Sequence, residues 1–79
     1  MTVKIIAFVL AVVEVGRENE IAQELRQAGV AEAEVVYGEY DLLCRIQTDT
    51  IEQLDSAMAR LRKTSGLIRT VTLLGSKRE

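Results

Sequence analysis

Few side chains in this 79-residue sequence can do covalent chemistry. Ser56, Ser65 and Ser76 become nucleophiles only when a base removes their proton, and the sequence contains no histidine to act as that base. Cys44 lies beside Leu43 and close to Ile46, where a thiol reads as a small buried hydrophobe and not as a reactive thiolate. It has no partner for an internal disulfide, and one cysteine without histidine leaves no zinc set. Most carboxylates fall in stretches of helical period, where a solvated face is the default, and the glycine turns lack phosphate-loop spacing. The sequence therefore reads as non-enzymatic, with no cofactor and no metal. Two short segments remain, Gly38-Glu39-Tyr40-Asp41-Leu42-Leu43 and Ile68-Arg69-Thr70-Val71-Thr72, which gather a carboxylate, a phenol and two hydroxyls. Taken alone, the first reads as a hairpin whose Asp41 caps the turn backbone.

Composition limits what these segments can serve. Ten basic and twelve acidic residues give a formal charge of −2, and the pI is about 5.1. The basic residues occur singly or in short pairs (Arg62-Lys63, Lys77-Arg78), so the basic face that displaces counterions from phosphates is missing and no direct nucleic-acid contact is expected. Hydrophobic residues make up 48% of the chain but aromatics only 4%. The apolar content is thus Val, Ile, Leu and Ala, the material of strands and helices. A chain of this length forms one domain (residues 1–79) and buries too small a fraction of its surface to be robust alone. Without disulfide or metal, oligomerisation is the expected staple. Lys4 followed by Ile5 to Val13 has the form of a secretory signal, but nine apolar residues are too few to span a bilayer and no A-x-A site precedes a plausible mature start. A buried strand in a cytoplasmic protein, with no membrane contact, is the expectation.

Hydrophobic period then places the elements. Val3 to Val13 is apolar on both alternating sets, the pattern of a strand covered on both faces. After Gly16 the period changes: Ile21, Leu25 and Ala28 share a helix face over 17–28, acidic residues occupy the first turn, and Gly29 stands where a C′ glycine ends a helix. Val30 to Tyr37 and Tyr40 to Thr48 read as strands joined by a two-residue turn of the Gly-X type at Gly38-Glu39. Asp49 as N-cap with Glu52 three residues on forms a capping box for a second helix bearing Ile51, Leu54, Met58 and Leu61. Thr64-Ser65-Gly66 stops that helix, Leu67 to Leu74 is the last strand, and Gly75 to Glu79 is a polar tail expected to fray.

The order β-α-β-β-α-β contains an internal echo, Leu25-Arg26-Gln27-Ala28-Gly29-Val30 against Leu61-Arg62-Lys63-Thr64-Ser65-Gly66-Leu67. Two such units predict an α+β, ferredoxin-like fold: a four-stranded antiparallel sheet with both helices on one face. The other face of a monomer should be polar. The first strand violates this, and Leu43 adds to the violation opposite Leu42, Cys44 and Ile46. Fully burying each large aliphatic residue is worth about 1.5–3 kcal/mol, so sheet-to-sheet or strand-edge association between copies is expected.

The whole pattern resembles the effector-sensing domain of the leucine-responsive and asparagine-regulator (Lrp/AsnC) transcription factors, also called the RAM domain. The resemblance rests on Glu14-Val15-Gly16 after the first strand, the Gly38 to Asp41 hairpin, Leu54-Asp55, the Gly66 turn, and Arg69-Thr70-Val71-Thr72, in that order over residues 3–74. It implies homodimers that assemble further into rings, with a small effector, commonly an amino acid, in clefts where dimers meet. The matching positions are Gly38, Tyr40, Asp41, Thr70 and Thr72. As implied by the resemblance, the carboxylate would pair an ammonium, while turn N–H groups and hydroxyls would hold the effector's carboxylate. The regulators' DNA-binding helix-turn-helix has no counterpart in these 79 residues, so the expectation is a sensor domain without DNA contacts of its own, which could co-assemble with a full-length relative. Two other readings stay open. A structural assembly domain would have an empty cleft, and a cofactor-free monooxygenase on the same fold would need polar groups lining a cavity, for which only Asn19 is at hand. An RNA-recognition motif shares the element order but needs stacking aromatics that are missing here.

Overall fold

The computed structural model describes residues 4–75. Its elements are β1 (Ile5–Val13), α1 (Glu18–Gln27), β2 (Glu32–Val35), β3 (Leu42–Thr48), α2 (Ile51–Arg62) and β4 (Leu67–Leu74). They form one antiparallel sheet of order β2-β3-β1-β4, the expected α+β ferredoxin-like arrangement. β1 is central because it pairs on both edges, with Val9 opposite Cys44 of β3 and Thr72 of β4.

Strand alternation divides the sheet into two faces. Ala7, Val9, Ala11 and Val13 of β1, Ala33 of β2, and Leu42, Cys44 and Ile46 of β3 are buried on one face. They meet Ile21, Ala22 and Leu25 of α1 and Leu54, Met58 and Leu61 of α2 in a single cluster, which sets both helices on that face. Small residues on β1 (Ala7, Ala11) leave room for the larger leucines and isoleucines opposite. On the other face Ile6, Phe8, Leu10 and Val12 are only half-buried, and Leu43 and Leu73 are exposed.

Each helix ends as its local sequence directs. The Gly29 N–H donates to the Arg26 carbonyl and the Val30 N–H to the Leu25 carbonyl, while Val30 packs into the core. This paired closure with an apolar C″ residue is a Schellman motif. The start of α1 lacks a side-chain cap, and Arg17 instead bridges Glu14 and Glu20, each at 2.8 Å. Hydrogen bonding to Arg17 holds the Glu20 carboxyl below its ordinary value. Gly66 lies directly beneath this clamp. A β-carbon there would stand 2.7 Å from both Arg17 Nη1 and Ile21 Cδ1, and its φ is +95°. The positive φ requires glycine, while the two side-chain ends would have to move aside for a β-carbon.

Several boundaries differ from expectation. The cap of α2 is Thr50, not Asp49: Thr50 Oγ1 accepts from the Gln53 N–H (3.1 Å), and Gln53 Oε1 accepts from the Asp49 N–H (2.9 Å). The box is thus Thr-x-x-Gln, and Glu52 takes no part because the helix begins one residue later than Asp49 would require. Ile51, in the first turn, is 53% exposed and lies outside the core. β2 spans only Glu32–Val35 and β3 begins at Leu42. The two-residue turn at Gly38-Glu39 is replaced by a wider loop closed by the Val36 N–H donating to the Asp41 carbonyl. Gly75 is not frayed, since its N–H donates to the Ile6 carbonyl at 2.7 Å. The rest of the expected tail, 76–79, and Val3 of the first strand lie outside the described residues. No helix among the described residues is long and apolar enough to cross a membrane.

Cys44 is fully buried, and burial pushes its thiol up to about 11, with the Arg26 charge pulling weakly the other way. The thiol is therefore neutral at physiological pH. A thiol reagent at pH 8 should label Cys44 only as fast as the protein opens, and rapid labelling of folded protein would contradict this packing. Leu25→Ala and Leu42→Ala should each cost about 2–5 kcal/mol in denaturant unfolding, because both side chains are sealed in the core. Gly66→Ala should also destabilise, by about 1 kcal/mol or more.

Candidate ligand-binding site

The hairpin residues are positioned by β1. Beyond the start of β3 the edge of β1 has no ladder partner, and Asp41 supplies one. Its backbone N–H donates to the Ala11 carbonyl at 2.8 Å, and its Oδ2 accepts from the Val13 N–H at 3.0 Å. Asp41 therefore caps the end of the β1–β3 ladder, a role close to the turn-capping that the bare sequence suggests. An amide left without this carboxylate would be a half-buried, unpaired donor, worth about 1–3 kcal/mol. Gly38 takes φ +129° with open space around it, so glycine is required by conformation and not by crowding.

Tyr40 is half-buried, and the Arg69 guanidinium lies over its ring, 5.9 Å from the centroid. This is near the outer limit for a cation–π contact. It links the hairpin to β4 across the end of β1. Thr70 and Thr72 pair with Ala11 and Val9, which places both hydroxyls on the helix-facing side of β4. β4 is the sheet edge, so Thr70 is only half-covered and Thr72 is exposed.

The five residues expected at the site thus fall into two groups within one chain. Gly38, Tyr40 and Asp41 cluster at the end of β1 on the β3 side, and Tyr40 reaches over to Arg69. Thr70 and Thr72 lie on the β4 side of β1, two strand spacings (about 10 Å) from the β3 ladder. They do not line a common cavity. Thr70 instead borders a shallow cleft of about 180 Å³, lined also by Arg62, Leu67, Ile68 and Arg69. A register shift in the β1–β4 ladder, from Val12 opposite Arg69 to Val13 opposite Leu67, leaves Ile68 as an extra residue and bows the edge strand here.

Two arginines of this cleft are not among the five residues expected at the site. Arg69 could have been found, because it immediately precedes Thr70 in the Arg-Thr-x-Thr run. Arg62 carried no signal, since a basic residue in the last turn of a helix reads equally well as a solvated dipole partner. Val15 and Tyr37, both 96% exposed, stand in the β1–α1 and β2–β3 loops at the same end of the sheet as the hairpin. Among the described residues no three Cys, Asp or Glu side chains gather as metal ligands. The arrangement can bind through hydroxyls, guanidiniums and one carboxylate.

Comparison with known proteins identifies the family. No protein-family model matches the sequence, and no curated protein does. Among solved structures, the hypothetical protein PHS023 from Pyrococcus horikoshii is 38% identical, with a TM-score of 0.85 over 91% of this chain and 89% of that one. FFRP-DM1 is also 38% identical, with a TM-score of 0.83 over 91% of this chain and 99% of that one. An AsnC family transcriptional regulator from Agrobacterium tumefaciens shares the fold at a TM-score of 0.80 and 15% identity; 98% of this chain matches about half (53%) of that regulator. At 38% identity over nearly the full length of both small proteins, the sequence belongs with them to the Lrp/AsnC-type effector (RAM) domain family.

Proposed function

We propose that the chain is an oligomeric, non-catalytic module that senses a small molecule, an amino acid by class, in the cytoplasm and conveys its level through assembly. The observation that carries this reading is the strip Phe8, Leu10, Val12, Leu43, Val71 and Leu73 on the face away from both helices. Half-exposed and contiguous, it is a surface that a second copy can bury at about 25 cal/mol per Å². Homodimers form through it and higher homo-oligomers build from the dimers. Gly38, Tyr40, Asp41, Thr70 and Thr72, separate within one chain, contact the effector where copies meet. A full-length Lrp/AsnC regulator is a further partner, and transcription is modulated through that relative without nucleic-acid contact by this domain.

The energetics suit a sensor. An effector that binds only the assembled state stabilises it by RT ln(1+[L]/Kd), about 2.7 kcal/mol at a hundredfold excess. That is sufficient to shift a balanced equilibrium by two orders of magnitude. A second reading, a purely structural assembly domain, draws on the commitment of Asp41 to the Val13 amide.

Light scattering with each of the twenty amino acids separates the two readings. A mass change with one or a few supports sensing, and no change with any supports the structural reading. Asp41→Asn keeps an acceptor for the Val13 N–H but removes the charge, so it should fold normally and lose the response. Asp41→Ala should instead cost about 1–3 kcal/mol of stability, because that amide loses its partner. On the open face, Val71→Lys or Leu73→Glu should leave the circular dichroism spectrum unchanged while lowering the mass. Wild-type mass in both would remove that face as the interface.

A further inference from the structure

We infer that the free edge of β4 pairs antiparallel with the β4 edge of a second copy, about a two-fold axis at Val71, and so joins two four-stranded sheets into one. This contact is separate from the sheet-face contact proposed above and does not depend on effector sensing. The two outer edges of the sheet are protected very differently. β2 is four residues long, with Glu32 and Glu34 exposed on either side of the buried Ala33. The Arg26 guanidinium of α1 donates to the Ala33 carbonyl. A short, charged and covered edge resists pairing. β4 has none of these devices. It runs for eight residues, none of them buried, and its one charged residue, Arg69, is turned over Tyr40. A bare edge of Leu, Ile, Val and Thr is a template for another strand.

The backbone of β4 fixes which groups the edge offers. The Gly75 N–H donates to the Ile6 carbonyl, and bonded pairs alternate along an antiparallel ladder, so the next ones are Phe8–Leu73 and Leu10–Val71. The amides and carbonyls of Thr70, Thr72 and Leu74 therefore point away from β1. The side chains of these residues, with Ile68, form a row on the helix-facing side, where Ile68 is 64% and Leu74 65% exposed. That row reads almost the same in both directions from Val71. A two-fold axis there sets Thr70 opposite the partner's Thr72 as a bonded pair and Ile68 opposite the partner's Leu74. Moving the axis to Thr70 or Thr72 would instead oppose a threonine to an aliphatic side chain. The pairing also bears on the candidate site. Thr70 and Ile68 border the shallow cleft, and the partner's Thr72 and Leu74 would form its missing wall.

The test uses the whole chain, with mass from light scattering and amide hydrogen exchange from NMR. The wild-type Thr70 and Thr72 amides should exchange as slowly as the Val71 amide, which bonds to β1. Thr72→Pro removes only an outward donor, a change that an edge strand tolerates. Its circular dichroism spectrum should persist while the mass falls by about half and Thr70 exchanges faster. A charge pair tests the register without altering the backbone. Thr70→Lys/Thr72→Lys sets like charges opposite each other and should also lower the mass, whereas Thr70→Lys/Thr72→Glu sets opposite charges together and should keep it. Val71→Cys should give a disulfide-linked dimer under oxidised glutathione. Residues in such a non-bonded pair stand about 4.5 Å apart at Cα, within disulfide reach, whereas packed sheet faces about 10 Å apart are beyond it. The inference is overturned if the Thr70 and Thr72 amides exchange as freely as an exposed loop amide, or if the two charged double variants have the same mass. Wild-type mass in Thr72→Pro together with a lowered mass in Leu73→Glu would remove the edge contact and keep the face contact. The reverse result would keep the edge and remove the face.

Discussion

Everything in this domain hangs on β1, a central strand with no polar face. It supplies hydrogen bonds to β3 on one edge and β4 on the other, so neither edge is free. One of its side-chain sets closes the core beneath the helices, and the other stands on the face that the helices do not reach. A nine-residue strand with these demands leaves the other elements few options. The helices must lie on one side because their crossovers begin and end there. The second face must either remain an apolar surface in water or meet another apolar surface.

The same strand organises the candidate site. Beyond the start of β3, the Val13 amide and the Ala11 carbonyl would be left open, and Asp41 closes both. The residue that makes the hairpin look functional is thus also the one that terminates the ladder. A side chain can serve twice, since a carboxylate accepts several hydrogen bonds. Its structural duty explains the Asp by itself. The case for ligand chemistry therefore rests more on Thr70 and Thr72 of the edge strand, whose hydroxyls have no hydrogen-bond partner among the described residues.

Much of the fold was legible because its signals are local and periodic. The double alternation of residues 5–13, the three-four spacing of Ile21 with Leu25 and of Leu54, Met58 and Leu61, and Gly29 after its helix each determine their element with little help from elsewhere. The errors came where two local solutions are nearly equal. Asp49 and Thr50 are both good N-caps, and the choice fell to Thr50 because Gln53 can answer it and reach back to the Asp49 amide. Gly38-Glu39 suits a tight turn, but the Asp41 N–H is drawn to β1 and not across the hairpin, which widens the loop. The pull of a third strand does not appear in the two strands it separates.

Residue types and spacing alone determined that this chain has no histidine-dependent chemistry, that its elements run β-α-β-β-α-β, and that it carries more apolar surface than two helices can cover. These follow from composition and short-range period, which act along the chain. Tertiary structure alone decided that Tyr40 meets Arg69, that Asp41 serves Val13, that Thr70 and Thr72 fall on the helix side of an edge strand, and that Arg62 borders the same cleft as Thr70. Those relations join residues up to 63 positions apart, Val9 and Thr72, through the pairing of β1 on both edges. A one-residue shift in that pairing, such as the one at Ile68, changes which side chains meet while leaving the local pattern of every element the same.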